Sequence, residues 1–95
     1  DSKVNRPVVD FRGVNDWKHY GDLAKRAWTF RTVGYGHGVE FWNDFVSTLR
    51  LVGYDGVISI EHEDPLMSAN EGLSKAIDFL NKVLLYEKVG EMWWA

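Results

Sequence analysis

The sequence predicts an α/β fold in which a helix, a short strand and a second helix follow one another along the chain. Apolar side chains recur at helical spacing between residues 39 and 52. The branched run at residues 57–60 stands between turn signals, which is typical of a short and mostly buried strand. A second helical pattern begins at Ser68, behind a capping motif. This order of elements is half of a repeating β/α pattern.

Residues 1 to 38 contain few regular signals. We expect a short extended piece at residues 8–11 and a weak polar helix at residues 16–26. The remainder reads as a long connection that carries Gly13, Gly21 and Gly34. Loops of this length inside compact domains are usually functional or disordered.

The first clear helix is predicted to begin at Val39 and to stop at Gly53, a residue type that commonly ends helices. Glu40 near its start and Arg50 near its end carry the charges that the helix dipole favours at those positions. The predicted apolar face consists of Phe41, Trp42, Phe45, Val46, Leu49 and Val52.

The second helix is predicted from Ser68 to about Tyr86. Ser68 and Glu71 have the spacing of a capping box, in which each side chain accepts a hydrogen bond from the other's backbone N–H group. The buried stripe of this helix is expected to contain Leu73, Ala76, Ile77, Leu80, Val83 and Leu84. At the end of the chain, Trp93 and Trp94 suggest a segment packed beneath a neighbouring helix.

The composition and net charge favour a small folded domain over a disordered, nucleic-acid-binding or membrane-spanning protein. Ninety-five residues predict one small domain, and a content of 45% hydrophobic and 15% aromatic residues argues against disorder. The net charge is −3 without a basic stripe, so nucleic acid is a poor candidate partner. There is no cysteine and no apolar run long enough to span a bilayer. We therefore expect a cytoplasmic protein with no membrane partner, whose aromatic surfaces are buried against something else.

Glu61 is the leading candidate for a chemical role, because it stands where the predicted strand ends. Catalytic groups of β/α barrels lie at such strand ends, where a carboxylate can bind a divalent cation or move a proton. An ordinary solvated loop residue is the alternative. Alternation along an extended chain points Glu61 and Glu63 one way and His62 the other, so His62 and Glu63 are assigned to the surroundings or the mouth of the site. Asp64, before Pro65, is expected to shape a turn.

The glycine-rich segment at residues 31–38 is the second candidate feature. Its glycines allow a sharp turn and a close approach of the backbone to a ligand. Arg31 presents several donors in a rigid fork, suited to a phosphate or a sugar oxygen, and His37 is placed to touch a substrate. The alternative is a flexible loop whose glycines only separate elements. His19 and His62 have no partners at metal spacing and are expected to be ordinary polar residues.

Taken together, FRTVGYGHG, the helix that opens FWNDFVSTLR, the stretch GYDGVISIEHED and the capped helix after it resemble the sugar phosphate isomerase/epimerase family. This family consists of TIM barrels related to xylose isomerase. The resemblance covers roughly residues 28 to 85. It implies that residues 1–95 form the C-terminal portion of a TIM (β/α)8 barrel, with its last strand and the flanking helices.

The resemblance also implies an activity and a set of site residues. The expected reaction is a metal-dependent isomerisation or epimerisation of a sugar or sugar phosphate. Glu61 matches the last metal ligand of the family and could also act in acid/base catalysis, while Arg31 matches a substrate-binding arginine and His37 lies in the substrate-facing turn. The cofactor would be a divalent metal ion: manganese, magnesium, cobalt or zinc. Asp1 matches the last residue of a His-x-His-x-Lys-Asp segment, which suggests a chain that begins directly after a lysine.

The chain departs from the family in its length, since three of the four expected metal ligands have no counterpart here. A barrel cannot close with one strand. We therefore expect the remainder of the barrel, or self-association, to cover this part, and the chain alone to be inactive. Two other functions stay open. One is a non-catalytic binding or assembly module, and the other, ranked lower for want of a basic rim, is a metal-dependent nuclease similar to endonuclease IV.

Overall fold

A computed structural model describes residues 1–7 and 23–94 of the chain. Two short strands, β1 (Ser2–Val4) and β2 (Trp28–Phe30), precede two helices, α1 (Val39–Leu51) and α2 (Ala69–Val83). A single 3-10 turn, Leu23–Lys25, leads into β2. The extended piece predicted at residues 8–11 lies outside the described residues. So does most of the helix predicted at residues 16–26, of which only the 3-10 turn is seen.

The two strands form an antiparallel sheet. Ser2 lies opposite Phe30, and Val4 lies opposite Trp28. The pairing continues beyond the strands, because the Arg31 amide donates to the Asp1 carbonyl at 3.0 Å. The sheet therefore holds the first residue of the chain against the start of the glycine-rich segment.

The predicted fold class is wrong. In place of a last barrel strand between helices, the structure has this antiparallel pair followed by two helices, and residues 57–60 form no strand. A strand needs a neighbour to pair its N–H and C=O groups. Within the described residues none lies beside this segment, and the Val57 carbonyl instead accepts a hydrogen bond from the Tyr54 hydroxyl at 2.6 Å. Val57 is 83% exposed. The expected TIM-barrel portion is therefore not observed.

Helix α1 begins and ends where the sequence predicts. After Leu51, Gly53 adopts a positive φ of 78° and its amide donates to the Arg50 carbonyl, while the Tyr54 amide donates to the Leu49 carbonyl. These two hydrogen bonds form a Schellman motif, and glycine takes the left-handed position in it without steric strain. The helix therefore ends where the glycine predicts.

Helix α2 begins as predicted and ends earlier. The Ser68 hydroxyl accepts a hydrogen bond from the Glu71 amide at 3.2 Å, which is the serine half of the predicted capping box. Leu84 is already extended, with ψ of 143°, so the helix stops at Val83 and not near Tyr86.

The core lies between α1 and α2 and is small. Among the described residues, the buried cluster here consists of Val46, Leu80 and Val83, and the half-buried side chains packed around them are Val33, Trp42, Ile60, Phe79 and Leu84. Phe41 and Phe45 of the predicted apolar face are exposed, and so is Ile77, which was expected to be buried. Trp93 and Trp94 contact each other edge to face and are also exposed, so the expected packing of the chain end beneath a helix is wrong. No helix in the described ranges is long and apolar enough to cross a membrane.

Candidate functional site

A cavity of about 410 Å³ lies between the first residues of the chain, the glycine-rich segment, α1 and the acidic segment after residue 60. Its walls bring together Glu61, Arg31 and His37, the three residues selected from the sequence. Among the described residues, the lining consists of Asp1, Ser2, Phe30, Arg31, His37, Phe41, Trp42, Phe45, Glu61 and Glu63. Acidic, basic and aromatic side chains therefore face one space.

The carboxylate of Asp1 is the most extensively bonded group of this site. Its Oδ2 atom accepts hydrogen bonds from the amides of Gly34, Gly36 and His37 at 3.2, 3.0 and 3.0 Å. Its Oδ1 atom accepts one from the amide of Ser2 at 2.7 Å. Only 2% of the side chain is exposed. Successive backbone N–H groups that converge on one oxygen form an anion-binding nest, and here the anion belongs to the chain itself.

Glycine is required in this nest for two different reasons. Gly34 has a positive φ of 94°, a conformation that strains other residues. Gly36 lies directly against the carbonyl oxygen of Ser2, and a Cβ atom at this position would overlap that oxygen. The glycines therefore serve the approach of the backbone to Asp1, whereas the sequence had suggested an approach to an external ligand.

His37 is oriented by the same carboxylate. Its Nδ1 atom lies 2.7 Å from Oδ1 of Asp1, and its ring stacks on Phe41 with the ring centroids 4.1 Å apart. A carboxylate that receives several amide hydrogen bonds is an acceptor, so the hydrogen of this contact lies on Nδ1. The His37 side chain is 37% exposed and borders the cavity.

Arg31 is anchored by Asp64. The guanidinium Nε lies 3.0 Å from Oδ2 of Asp64, which also accepts a hydrogen bond from the Thr32 amide at 2.7 Å. Burial acts to raise the pKa of Asp64, but hydrogen bonds from the amides of Thr32 and Leu66 and from the Arg31 side chain outweigh it, so the pKa lies below its ordinary value. The ion pair fixes Arg31 at the edge of the cavity.

Asp64 also shapes a turn, as predicted from the sequence. Its Oδ1 atom accepts a hydrogen bond from the Leu66 amide, two residues later, at 2.8 Å. The same residue thus shapes the loop before α2 and holds Arg31, a second role that the sequence did not suggest.

The side chains of residues 61–63 point in alternating directions, as predicted for an extended chain. Glu61 and Glu63 line the cavity, and Glu61 is exposed. His62 points elsewhere: its Nε2 atom donates to the Met67 carbonyl at 2.9 Å, and its ring lies against Gly72 of α2. His62 therefore does not line the cavity, and its hydrogen bond agrees with the interpretation of His62 as an ordinary polar residue. His19 lies outside the described residues.

The described residues do not fit a complete metal site. Among residues 1–7 and 23–94, no three histidine, aspartate or glutamate side chains lie close enough together to hold an ion. In the cavity, Asp1 and His37 are hydrogen-bonded to each other. Glu61 and Glu63 also line the cavity and lie outside this pair. Any metal held by Glu61 would need ligands from outside the described residues.

Two features of the site were missed in the sequence. Asp1 had been matched to a sequence motif, but no contact had been predicted for it. Phe41 and Phe45 had been assigned only to the apolar face of the first helix. The closely spaced glycines at 34, 36 and 38 could have indicated a nest of amides that needs an anion. Nothing local identifies that anion, because it lies more than 30 residues away in sequence.

The chain is similar to the "Uncharacterized protein YfiH" of Bacillus subtilis (strain 168), with 31% identity over 84 residues. The matched residues make up 88% of this chain and 27% of that protein, so the chain spans about a quarter of the length of its relative. No family model matches the chain, and no solved structure matches it.

Proposed function

We propose that this chain contributes to the active site of an enzyme that isomerises or epimerises a sugar or sugar phosphate. The observation that supports this proposal is the convergence of Glu61, Arg31 and His37 on one cavity, although the three lie up to 30 residues apart. These residues supply a base, a cation and a hydrogen-bonding ring to one bound molecule. That combination matches the resemblance drawn from the sequence.

The chemistry begins at a C–H bond beside a carbonyl group. In an isomerisation Glu61 removes this proton and returns it to the neighbouring carbon. In an epimerisation Glu61 acts as one member of an acid/base pair, and the second member, from outside the described residues, delivers a proton to the opposite face of the same carbon. Arg31, held by Asp64, faces negative charge on the substrate, either a phosphate group or the oxygen of the enediolate. His37 contacts a substrate hydroxyl. Phe41, Trp42 and Phe45 form an aromatic wall beside these groups.

A divalent metal ion, manganese, magnesium, cobalt or zinc, belongs to the proposal with Glu61 as its ligand from this chain. Because the described residues supply no group of three ligands, the steps above are assigned to side chains of this chain alone. A cytoplasmic location is likewise part of the proposal.

The proposed partner of this chain is the remainder of a longer protein, or a second copy of the chain. Two observations support a partner. Large apolar side chains are exposed on α1, on residues 57–58 and on the segment after α2, and such surfaces in water favour association. In addition, the similar protein from B. subtilis is much longer than this chain. We expect the chain alone to be inactive.

The exposed apolar surface also favours a second candidate function, a non-catalytic assembly module. In that case Trp93, Trp94 and the exposed face of α1 would bind a partner protein, and the cavity would have no chemical role. This candidate predicts tight association without turnover.

The experiment that separates the two candidates follows the exchange of a substrate C–H proton. The full-length protein, with Mn²⁺ or Mg²⁺ added, is incubated in D₂O with a panel of aldoses, ketoses and their phosphates, and deuterium incorporation is followed by NMR. We expect incorporation beside the carbonyl of one substrate class, reduced at least about 100-fold by Glu61→Gln. Glu71→Gln, on the exposed start of α2, is the matched control. No incorporation with any substrate, or full incorporation in Glu61→Gln, would refute the proposal.

A further inference from the structure

The pair formed by Asp1 and His37 has a geometry that a purely structural contact does not need. The backbone amides of the nest already satisfy Oδ2 of Asp1, and Oδ1 is turned to the histidine ring at 2.7 Å. The carboxylate is almost fully buried, whereas the ring borders the cavity and is more than a third exposed. The ring is thus held at Nδ1 by a buried carboxylate, while His37 lines the cavity.

The contact determines the tautomer of the neutral ring. Since Nδ1 donates to the Asp1 carboxylate, Nε2 carries the lone pair and is the atom available to a bound molecule. Stacking on Phe41 holds the plane of the ring, with the two rings inclined by 23°. A carboxylate behind a histidine also stabilises the imidazolium form that appears when Nε2 takes a proton.

We propose that Asp1 and His37 form a proton-transfer pair, in which His37 Nε2 carries the hydroxyl proton of the substrate and Asp1 is the positioning residue. This role rests on the proposed function. In an aldose–ketose interconversion, Glu61 moves the carbon-bound proton between neighbouring carbons. His37 takes the proton from the hydroxyl oxygen that becomes the carbonyl, and returns it to the neighbouring carbonyl oxygen, which becomes the hydroxyl. Each proton removed is returned, and no oxidant or reductant is needed.

Several charged groups surround His37 and bear on its proton exchange. Asp1, Arg31, Glu61 and Glu63 line the same cavity. Glu40 and Asp44 of α1 line a second cavity that His37 also borders. Because several carboxylates could contribute to an acidic limb of a pH–rate profile, the limb is assigned to His37 only by comparison of variants.

The first test concerns the tautomer. Nitrogen NMR of the ¹⁵N-labelled chain, at a pH where the ring is neutral, should show the hydrogen of His37 on Nδ1. In Asp1→Asn the side chain has nearly the same shape but can donate from its amide, so the hydrogen should move to Nε2. Amide spectra verify that the variant is folded. A wild-type ring with its hydrogen on Nε2 would overturn the inference.

The second test is kinetic and uses the full-length protein. We expect His37→Gln to lower kcat about 100-fold or more with little change in KM, and to remove the acidic limb of the kcat profile. Asp1→Asn should lower kcat in the same way. His62→Gln is the matched control, because His62 bonds to the Met67 carbonyl and does not line the cavity.

The outcomes separate the two proposals. Wild-type turnover with an unaffected His37→Gln variant would overturn the proton-transfer role and leave the proposed function standing. The absence of turnover in the wild type would overturn both. Loss of turnover in His62→Gln to the same degree would show that substitution of either histidine disturbs the fold, and would also count against a specific role of His37.

Discussion

The Nε atom of Arg31 lies 3.0 Å from Oδ2 of Asp64, and this ion pair joins the end of β2 to the loop that precedes α2. The two residues are 33 positions apart in the sequence. Asp64 is buried and also binds the amides of Thr32 and Leu66. One carboxylate therefore connects two segments of the chain, residues 31–32 and the loop of residues 64–66, and fixes a charged residue of the cavity.

Replacement of this carboxylate should lower the stability of the fold. In Asp64→Ala, the Thr32 amide and the Arg31 guanidinium lose their shared acceptor, and we expect the free energy of unfolding to fall by about 2–3 kcal/mol. Urea denaturation followed by tryptophan fluorescence measures the change. Glu63→Ala, an exposed neighbour, is the control, with an expected change within about 0.5 kcal/mol. Equal effects of the two substitutions would contradict the importance of the buried contacts.

Stability should also fall in acid because of Asp64. Its pKa in the folded state lies below the ordinary value of 3.8, so above that value the unfolded chain binds no extra proton and the stabilisation is complete. As the pH falls below about 3.8, the unfolded state takes up the proton first, and the stabilisation is lost progressively as the pH approaches the lowered pKa of the folded state. Denaturation curves between pH 7 and pH 2.5 should show this loss in the wild type and a smaller loss in Asp64→Asn. Parallel curves would exclude Asp64 as the cause.

Gly36 and Gly38, two glycines near Asp1, differ in the space available for a Cβ atom. In Gly36→Ala the new Cβ would overlap the Ser2 carbonyl oxygen, whereas nothing lies near a Cβ at Gly38. We expect Gly36→Ala to destabilise the fold by about 1–3 kcal/mol and Gly38→Ala to change it by less than about 0.5 kcal/mol. Thermal unfolding monitored by circular dichroism tests this difference. A neutral Gly36→Ala would show that residue 1 is not held against the glycine-rich segment.

The small core gives a prediction for helix packing. Leu80 is buried between α1 and α2, so Leu80→Ala should cost about 2–5 kcal/mol through lost apolar contacts and the cavity left behind. Leu51, at the exposed end of α1, is the matched control for the same substitution, with little expected effect. Both variants are compared in urea. Similar midpoints for the two variants would mean that the helices do not pack as the structure shows.

Several parts of the structure could be predicted from short stretches of sequence. The start of α1, its end at Gly53 and the Ser68 cap of α2 each depend on residues within one or two helical turns. The Asp64 turn and the opposite directions of Glu61 and His62 are equally local. The presence of Glu61, Arg31 and His37 at one cavity agrees with their selection, while their chemical roles stay predictions.

Only the tertiary structure decided the remaining features. Residues 57–60 have the composition of a strand, but a strand exists only where another strand pairs with it, and composition cannot supply that neighbour. The contacts of Asp1 with His37 and of Arg31 with Asp64 join residues more than 30 positions apart. The sequence by itself thus determined where both helices begin and where α1 ends, because these features depend on neighbouring residues. The strand pairing and the bonds of the cavity were decided by the path of the whole chain, because only that path brings distant donors and acceptors within hydrogen-bonding distance.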